Sequence, residues 1–182
     1  LGKYGRADWM ICEITENCSE IIDFFHLEIQ ADATTGTRGL VQCVKDFFDG
    51  KDISNTRYGY GLNSKASIKG SSLQMIDKGF MFEKLGKKSF WVLQDTLFET
   101  LCDIFSIKMK ELKNPTLENT DTLIFITPTL NFNSNDQYKL DFSKCYTISP
   151  TQLQKSMADK SVDSEEFKEA LYEKVHQKFL DN

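Results

Sequence analysis

Apolar and polar positions along this chain follow two rhythms, and the rhythm sorts its segments into strands and helices. Residues 7–14, ADWMICEI, and 21–31, IIDFFHLEIQA, read as strands joined by a polar turn, an antiparallel hairpin. Side chains alternate between strand faces, so Phe25, Leu27 and Ile29 share one face, expected to be a core stripe. His26, Glu28 and Gln30 share the other, and the first strand groups Asp8 with Met10, Cys12 and Ile14. A helix is predicted over RGLVQCVKDFF, with Leu40, Val41, Val44, Phe47 and Phe48 at helical spacing. Asp32, Thr34 and Thr35 can cap it, and Gly50 closes it. Residues 50–70 read as a Gly/Ser/Asn-rich loop. A long helix is expected over 71–85, with Leu73, Ile76, Phe80, Met81 and Leu85 on one side.

Further on, SFWVLQ reads as a buried strand and DTLFETLCDIFS as a helix capped by Asp95. DTLIFITPTL is a strand ended by Pro128, and YKLDFSKCYTIS is another strand. Pro150 or Thr151 opens a helix. The last helix follows Ser164, and its stripe of Phe167, Leu171, Val175 and Phe179 is expected to be core rather than interface. This order is mixed α/β: a central mixed sheet flanked by helices, in one domain over residues 1–182. The start at Leu1, running straight into a strand-like segment, reads as a catalytic fragment lacking an N-terminal region.

Composition narrows the class. At 182 residues and 40% hydrophobic content the chain can bury a sizeable core. No apolar run reaches the length of a membrane span and no secretory signal is visible. Five cysteines, an odd number without zinc-type spacing, are expected to be reduced and mostly buried, in a cytoplasmic protein. The net charge of −5 speaks against a nucleic-acid binder until its distribution is considered. Residues 45–90 carry nine basic and five acidic side chains, a surplus of +4 within an acidic chain. That block also holds Tyr58, Tyr60 and Asn63, and reads either as a solvated surface or as a stripe facing DNA.

The hairpin carries the candidate chemistry. A divalent ion that hydrolyses phosphodiesters needs one or two carboxylates fixed at a point, with room left for water. Asp8 on one strand and Glu28-Ile29-Gln30 on the next fit that layout. Glu28 and Gln30 share a face, and the Ile29 main-chain carbonyl can offer another oxygen. Gln30 is neutral, so its amide can orient water but supplies no positive charge. The same spacing also suits an edge strand with a solvated polar face.

The wording around these residues is more specific than their spacing. Leu27-Glu28-Ile29-Gln30 followed by a helix, and Asp8-Trp9 with Glu13 five positions after Asp8, resemble the NotI-type restriction endonucleases. So do the stretch from Leu62-Asn63-Ser64 to Leu85 and the strand at 123–127. The resemblance covers about residues 3–130 and is densest at 7–48. It implies a PD-(D/E)XK nuclease core in its Glu-X-Gln variant. It further implies Mg²⁺-dependent cleavage of double-stranded DNA at a specific palindrome by a homodimer. Asp8, Glu28 and Gln30 then become catalytic, with Asp8, Glu28 and the Ile29 carbonyl holding the metal. Glu13 and His26 are possible accessory groups, although Glu13 points away from Asp8 on an ideal strand and the family has no His at position 26. Arg38, Arg57, Lys65 and Lys69 are candidates for DNA contact. The family's N-terminal cysteine-ligated iron site has no counterpart here. Two other functions stay open: a repair or phage-defence nuclease of the same fold without a palindromic site, and a DNA-binding module with a decayed site.

Overall fold

The computed structural model of the chain describes residues 6–113, 120–132, 138–159 and 164–180. Its strands are β1 (Trp9–Ile14), β2 (Ile21–Gln30), β3 (Thr34–Thr35), β4 (Gly61–Leu62), β5 (Ser89–Leu93), β6 (Lys110–Glu111), β7 (Leu123–Phe132) and β8 (Tyr138–Ile148). Its helices are α1 (Thr37–Phe48), α2 (Ser64–Lys84), α3 (Asp95–Phe105), α4 (Pro150–Ala158) and α5 (Ser164–Leu180). Six strands form one mixed sheet in the order β1-β2-β5-β7-β8-β6. β1 and β2 are the expected antiparallel hairpin, while β2, β5 and β7 run parallel and β8 returns antiparallel to β7.

Register fixes which side chains share a face. One cross-strand row is Met10–His26–Ser89–Leu123–Ile148, and the next is Glu28–Trp91–Phe125–Tyr146. Helices α2, α3 and α4 pack on this face. Ile68, Met75, Leu97, Phe98, Leu101 and Leu153 join Trp91, Leu93 and Phe125 in the core. The opposite face carries the rows Trp9–Leu27–Phe90–Ile124 and Ile29–Val92–Ile126. The expected core stripe is therefore reversed: Phe25 and Leu27 are half-buried and Ile29 is exposed, whereas His26 and Glu28 are buried. Central parallel strands are apolar on both sides, so alternation alone does not say which side the helices cover.

Helix α2 starts seven residues before its predicted start at 71, because Asn63 caps it by accepting from the Ala66 amide at 3.3 Å. Lys65 and Lys69 thus lie on a helix rather than in a loop. Its buried positions are Ile68, Ser71, Ser72, Met75, Gly79 and Phe82, while Leu73 and Leu85 of the predicted stripe are exposed. Small residues let the helix lie close to its neighbours. A Cβ on Gly79 would stand 3.0 Å from Pro150 Cγ and 3.2 Å from Leu123 Cδ1. Pro150 opens α4 as expected, behind a capping box of Ser149 and Gln152.

Residues between β2 and α2 form a small lobe. β3 pairs with β4 at its base, so Thr34 and Thr35 are strand residues and not caps; α1 begins after Gly36 with no side-chain cap. Gly50, in the left-handed region, follows α1 as expected. Asp46 ties the lobe together, accepting from Lys51 Nζ at 2.6 Å, Gln42 Nε2 at 2.9 Å and the Tyr58 hydroxyl at 3.0 Å. Val41, Val44, Phe47 and Phe48 of α1 are exposed.

Three further expectations change. Asp95 is the first residue of α3 and Gln94 its cap position, with no side-chain cap bond. Pro128 does not end β7; it sits at a bulge between Thr127 and Thr129, where the ladder does not require its missing N–H. The stripe of α5 is not core, because Phe167, Leu171 and Val175 are exposed; the Phe179 side chain lies outside the described residues. Of the cysteines, Cys43 and Cys145 are buried and Cys102 half-buried, but Cys12 and Cys18 are exposed, so the thiols are not mostly buried. No helix among the described residues is long and apolar enough to cross a membrane.

Candidate functional site

The hairpin brings Asp8 and Glu28 together. Trp9 pairs with Leu27, which puts Asp8, just before β1, beside Glu28. Two hydrogen bonds interlock them. The Asp8 amide donates to Glu28 Oε1 at 3.2 Å, and the Ile29 amide donates to Asp8 Oδ2 at 3.0 Å. Asp8 is exposed; Glu28 is 3% exposed.

Glu28 Oε1 also accepts from His26 Nε2 at 2.8 Å and from Lys78 Nζ. The lysine comes from α2, which runs back along β2, so that successive helical turns meet successive strand residues. Phe82 stacks on His26 with ring centroids 4.8 Å apart, Lys78 meets Glu28, and Ser67 Oγ accepts from the Ala33 amide at 2.8 Å. Lys78 Nζ stands 5.7 Å from the Trp91 ring centroid, a cation–π contact.

A chain of donors fixes the imidazole. Trp91 Nε1 donates to Ser89 Oγ at 3.0 Å, and Ser89 Oγ bonds His26 Nδ1 at 2.9 Å. An ionised carboxylate only accepts, so His26 carries a proton on Nε2 and, in the neutral ring, accepts the Ser89 hydroxyl proton at Nδ1. Burial, opposed by Glu28, holds the His26 pKa below its ordinary value. Burial also pushes the Glu28 carboxyl up. The hydrogen bonds from Lys78 and His26, the Lys78 charge and the Asp8 amide outweigh it, and Glu28 stays below the usual carboxylate range.

Gln30 lies half-buried, two residues further along the same face. Beyond it, at the carboxyl end of β2 and β5, the Asp32 amide donates to Gln94 Oε1 at 3.3 Å, and Ser64 Oγ donates to Asp32 Oδ2 at 2.9 Å. Among the described residues, Asp32 Oδ1 is the one buried side-chain oxygen or nitrogen without a partner. On the other flank of Glu28 an open cleft of about 640 Å³ runs between the hairpin and α2, lined in part by Arg6, Met10, His26, Lys78, Met81 and Leu85.

The remaining candidates are dispersed. Glu13 pairs with Asp23 toward the far end of the hairpin and does not join the site. Arg38 and Arg57 are exposed on the lobe, and Lys65 and Lys69 are exposed on the first turns of α2. All four belong to segments that leave or approach the carboxyl end of β2, the end that carries Gln30 and Asp32. Sequence reading missed Lys78, Ser89, Trp91 and Asp32. One signal pointed to Lys78: it shares the spacing of Ser71, Met75 and Phe82, which is a buried helix face.

Among the described residues no cluster of three or more His, Cys, Asp or Glu converges as a metal site. Mg²⁺ needs fewer, since it takes one or two carboxylates and keeps its waters. Asp8, Glu28, the Ile29 carbonyl and the Gln30 amide are hard oxygen donors of the right kind. Comparison of the chain with protein-family models, curated proteins and solved structures finds no match.

Proposed function

We propose that this chain is the catalytic domain of a Mg²⁺-dependent nuclease for double-stranded DNA, acting as a type II restriction endonuclease of the Glu-X-Gln PD-(D/E)XK kind. The observation that carries the reading is the interlock of Asp8 and Glu28: two carboxylates from adjacent strands, fixed by each other's backbone neighbours. Asp8, Glu28 and the Ile29 carbonyl would hold the ion, and the Gln30 amide would orient water. The bound ion supplies charge neutralisation of the phosphate and an acidified water. His26 and Lys78 hold Glu28 ionised and in one orientation, which places a positive charge at the site although position 30 is neutral. Arg38, Arg57, Lys65 and Lys69 bind the DNA backbone at the carboxyl end of β2. The enzyme works as a homodimer, because cutting two antiparallel strands at a palindrome needs two sites related by a two-fold axis.

One observation favours a second reading. Oε1 of Glu28 already has three donors, His26, Lys78 and the Asp8 amide, as a structural ion cluster in a DNA-binding module with a decayed site would. Incubation of plasmid or phage DNA with the protein and Mg²⁺, with and without chelator, separates the readings. Discrete, chelator-sensitive fragments are expected. A smear indicates a repair or defence nuclease of the same fold, and intact but bound DNA under every metal tried rejects catalysis.

A further inference from the structure

Strands β7 and β8 outrun the sheet that holds them. β5 pairs with β7 only from Leu123 to Ile126, and β6 reaches β8 only at Tyr146 and Thr147. Past those residues the two strands have only each other. Thr127–Phe132 and Tyr138–Lys144 make a two-stranded ribbon, and among the described residues no third strand joins it. At roughly 3.3 Å per residue the β7 half runs about 17 Å beyond the sheet. An isolated ribbon is marginal in water; this one is rooted in the central strands and braced by the cross-strand pair Leu130–Leu140. Because β2, β5 and β7 are parallel, the ribbon leaves from the carboxyl end of the sheet. That end also carries Gln30, Asp32, the lobe with Arg38 and Arg57, and the first turns of α2 with Lys65 and Lys69. β7 lies two strand spacings from β2, about 10 Å.

A bulge makes one face of the ribbon polar. Alternation along β7 puts Leu123, Phe125 and Thr127 on the helix-covered side and carries Thr129 and Asn131 to that side too, the side of Glu28 and Gln30. Between the pairs Thr127–Lys144 and Thr129–Asp141, β8 has one residue more than β7. Without it, alternation from Lys144 would bring Leu140 and Phe142 to the same side. With it, Asp141 and Lys139 stand there instead, opposite Thr129 and Asn131. Asn131, Lys139 and Asp141 are exposed and Thr129 is half-buried, while Leu130, Leu140 and Phe142 are exposed on the other face. The two faces suit different occupants. A protein docked on the ribbon would meet the leucines. A duplex lying along Gln30 and the lobe would meet the polar set.

We propose that this ribbon enters the major groove of the DNA and that Asn131 and Lys139 read base edges there, an inference that rests on the nuclease function proposed for the chain. The major groove, about 12 Å wide, admits a two-stranded ribbon. In it an Asn side chain bonds adenine N6 and N7, and a Lys bonds guanine O6 and N7. Arg38, Arg57, Lys65 and Lys69 then fix the duplex by its phosphates, which carry no sequence, and the ribbon selects the site.

The test is cleavage of a pool of random-sequence duplex DNA by the full chain with Mg²⁺, followed by sequencing of the ends. The wild type is expected to cut within one site. Asn131→Ala and Lys139→Ala should each relax the site at one base-pair position and slow single-turnover cleavage of the wild-type site by about 10- to 100-fold. Their binding to random DNA, and its salt dependence, should stay as in the wild type. Leu140→Thr, on the other face, should keep both site and rate. Circular dichroism matching the wild type shows that each variant is folded. Asn131→Ala and Lys139→Ala variants that keep the wild-type site and rate overturn the ribbon's role and leave the nuclease standing. So does a loss of binding to all sequences alike, which marks phosphate contact, or a wild type that cuts without sequence preference. A wild type that leaves all DNA intact overturns the nuclease itself, and the ribbon's role with it.

Discussion

Lys78 and Glu28 stand fifty residues apart in sequence and share one hydrogen-bonded contact in the interior, between the long helix and a strand of the central sheet. The side chains are 13% and 4% exposed, so the Lys78 ammonium depends on Glu28. Glu28 keeps the His26 and Asp8 donors if Lys78 is lost, which puts the cost at the low end of the range for a buried pair. Removing one member of a buried pair costs about 3–5 kcal/mol, because the survivor is left without solvent or partner, whereas replacing both by apolar groups is often neutral. Lys78→Met is therefore expected to lose about 3 kcal/mol in urea unfolding. Glu28→Gln combined with Lys78→Met should regain most of it. Equal losses in the single and double variants would show that the pair carries no coupling.

The same cluster makes the fold acid-sensitive in two steps. His26 is held below its ordinary value of 6.5, so between the two values the unfolded chain binds a proton that the folded chain refuses. Stability is full above 6.5 and falls as pH drops toward the folded value. Glu28 is held below 4.5; its contribution is present above 4.5 and is lost as pH falls through the depressed folded value. Both slopes have one sign. Unfolding free energy should decline on acidification from about pH 7, first through His26 and then through Glu28. His26→Gln should flatten the upper part of that profile, and Lys78 should still hold the lower part below 4.5.

Much of the architecture was legible in the sequence. The hairpin, the buried strand around Trp91, the start of α4 at Pro150 and the mixed α/β order all follow from periodicity and from Gly and Pro punctuation. Orientation was not. Phe25, Leu27 and Ile29 carry the stronger apolar signal, yet Lys78, far along the chain, makes the face of His26 and Glu28 the buried one. The contact face of α2 was hidden for a related reason: Ser71, Ser72 and Gly79 pack through closeness and not through hydrophobicity. Asp8 and Glu28 were found together because a hairpin is local. Lys78 was not, because its partner is not.

Gly39 lies where α1 meets the Tyr58–Gly59 backbone and leaves no room for a side chain. A Cβ there would lie 1.9 Å from the Tyr58 carbonyl oxygen, which is backbone and has no flexible end to move aside. Gly39→Ala is expected to push the Tyr58–Gly59 segment off α1 and to open the lobe without unfolding the sheet. Amide exchange over residues 50–62 should speed up by about 10-fold or more, which corresponds to roughly 1.4 kcal/mol of local stability. Unchanged exchange there would mean that the close approach is relaxed in solution.

The roles of Gln30 and Lys78 can be separated by kinetics. A neutral amide that orients water acts only on the chemical step, and such positioning is worth about 100-fold or more. Gln30→Ala is therefore expected to lower single-turnover cleavage by about that factor while DNA affinity and its salt dependence stay as in the wild type. Asp8→Asn should abolish cleavage and leave folding intact, since Asp8 is exposed and Asn Oδ1 can still accept from the Ile29 amide. Lys78→Arg keeps the charge on Glu28 but enlarges the group, so some cleavage should survive in it and none in Lys78→Met. Arg57→Ala and Lys69→Ala should do the reverse of Gln30→Ala: weaker binding, a shallower dependence on salt, and an unchanged rate once DNA is saturating. If Gln30→Ala cleaves at the wild-type rate, the Glu-X-Gln assignment fails even where the enzyme is a nuclease, because the residue that marks that branch then takes no part in the chemistry.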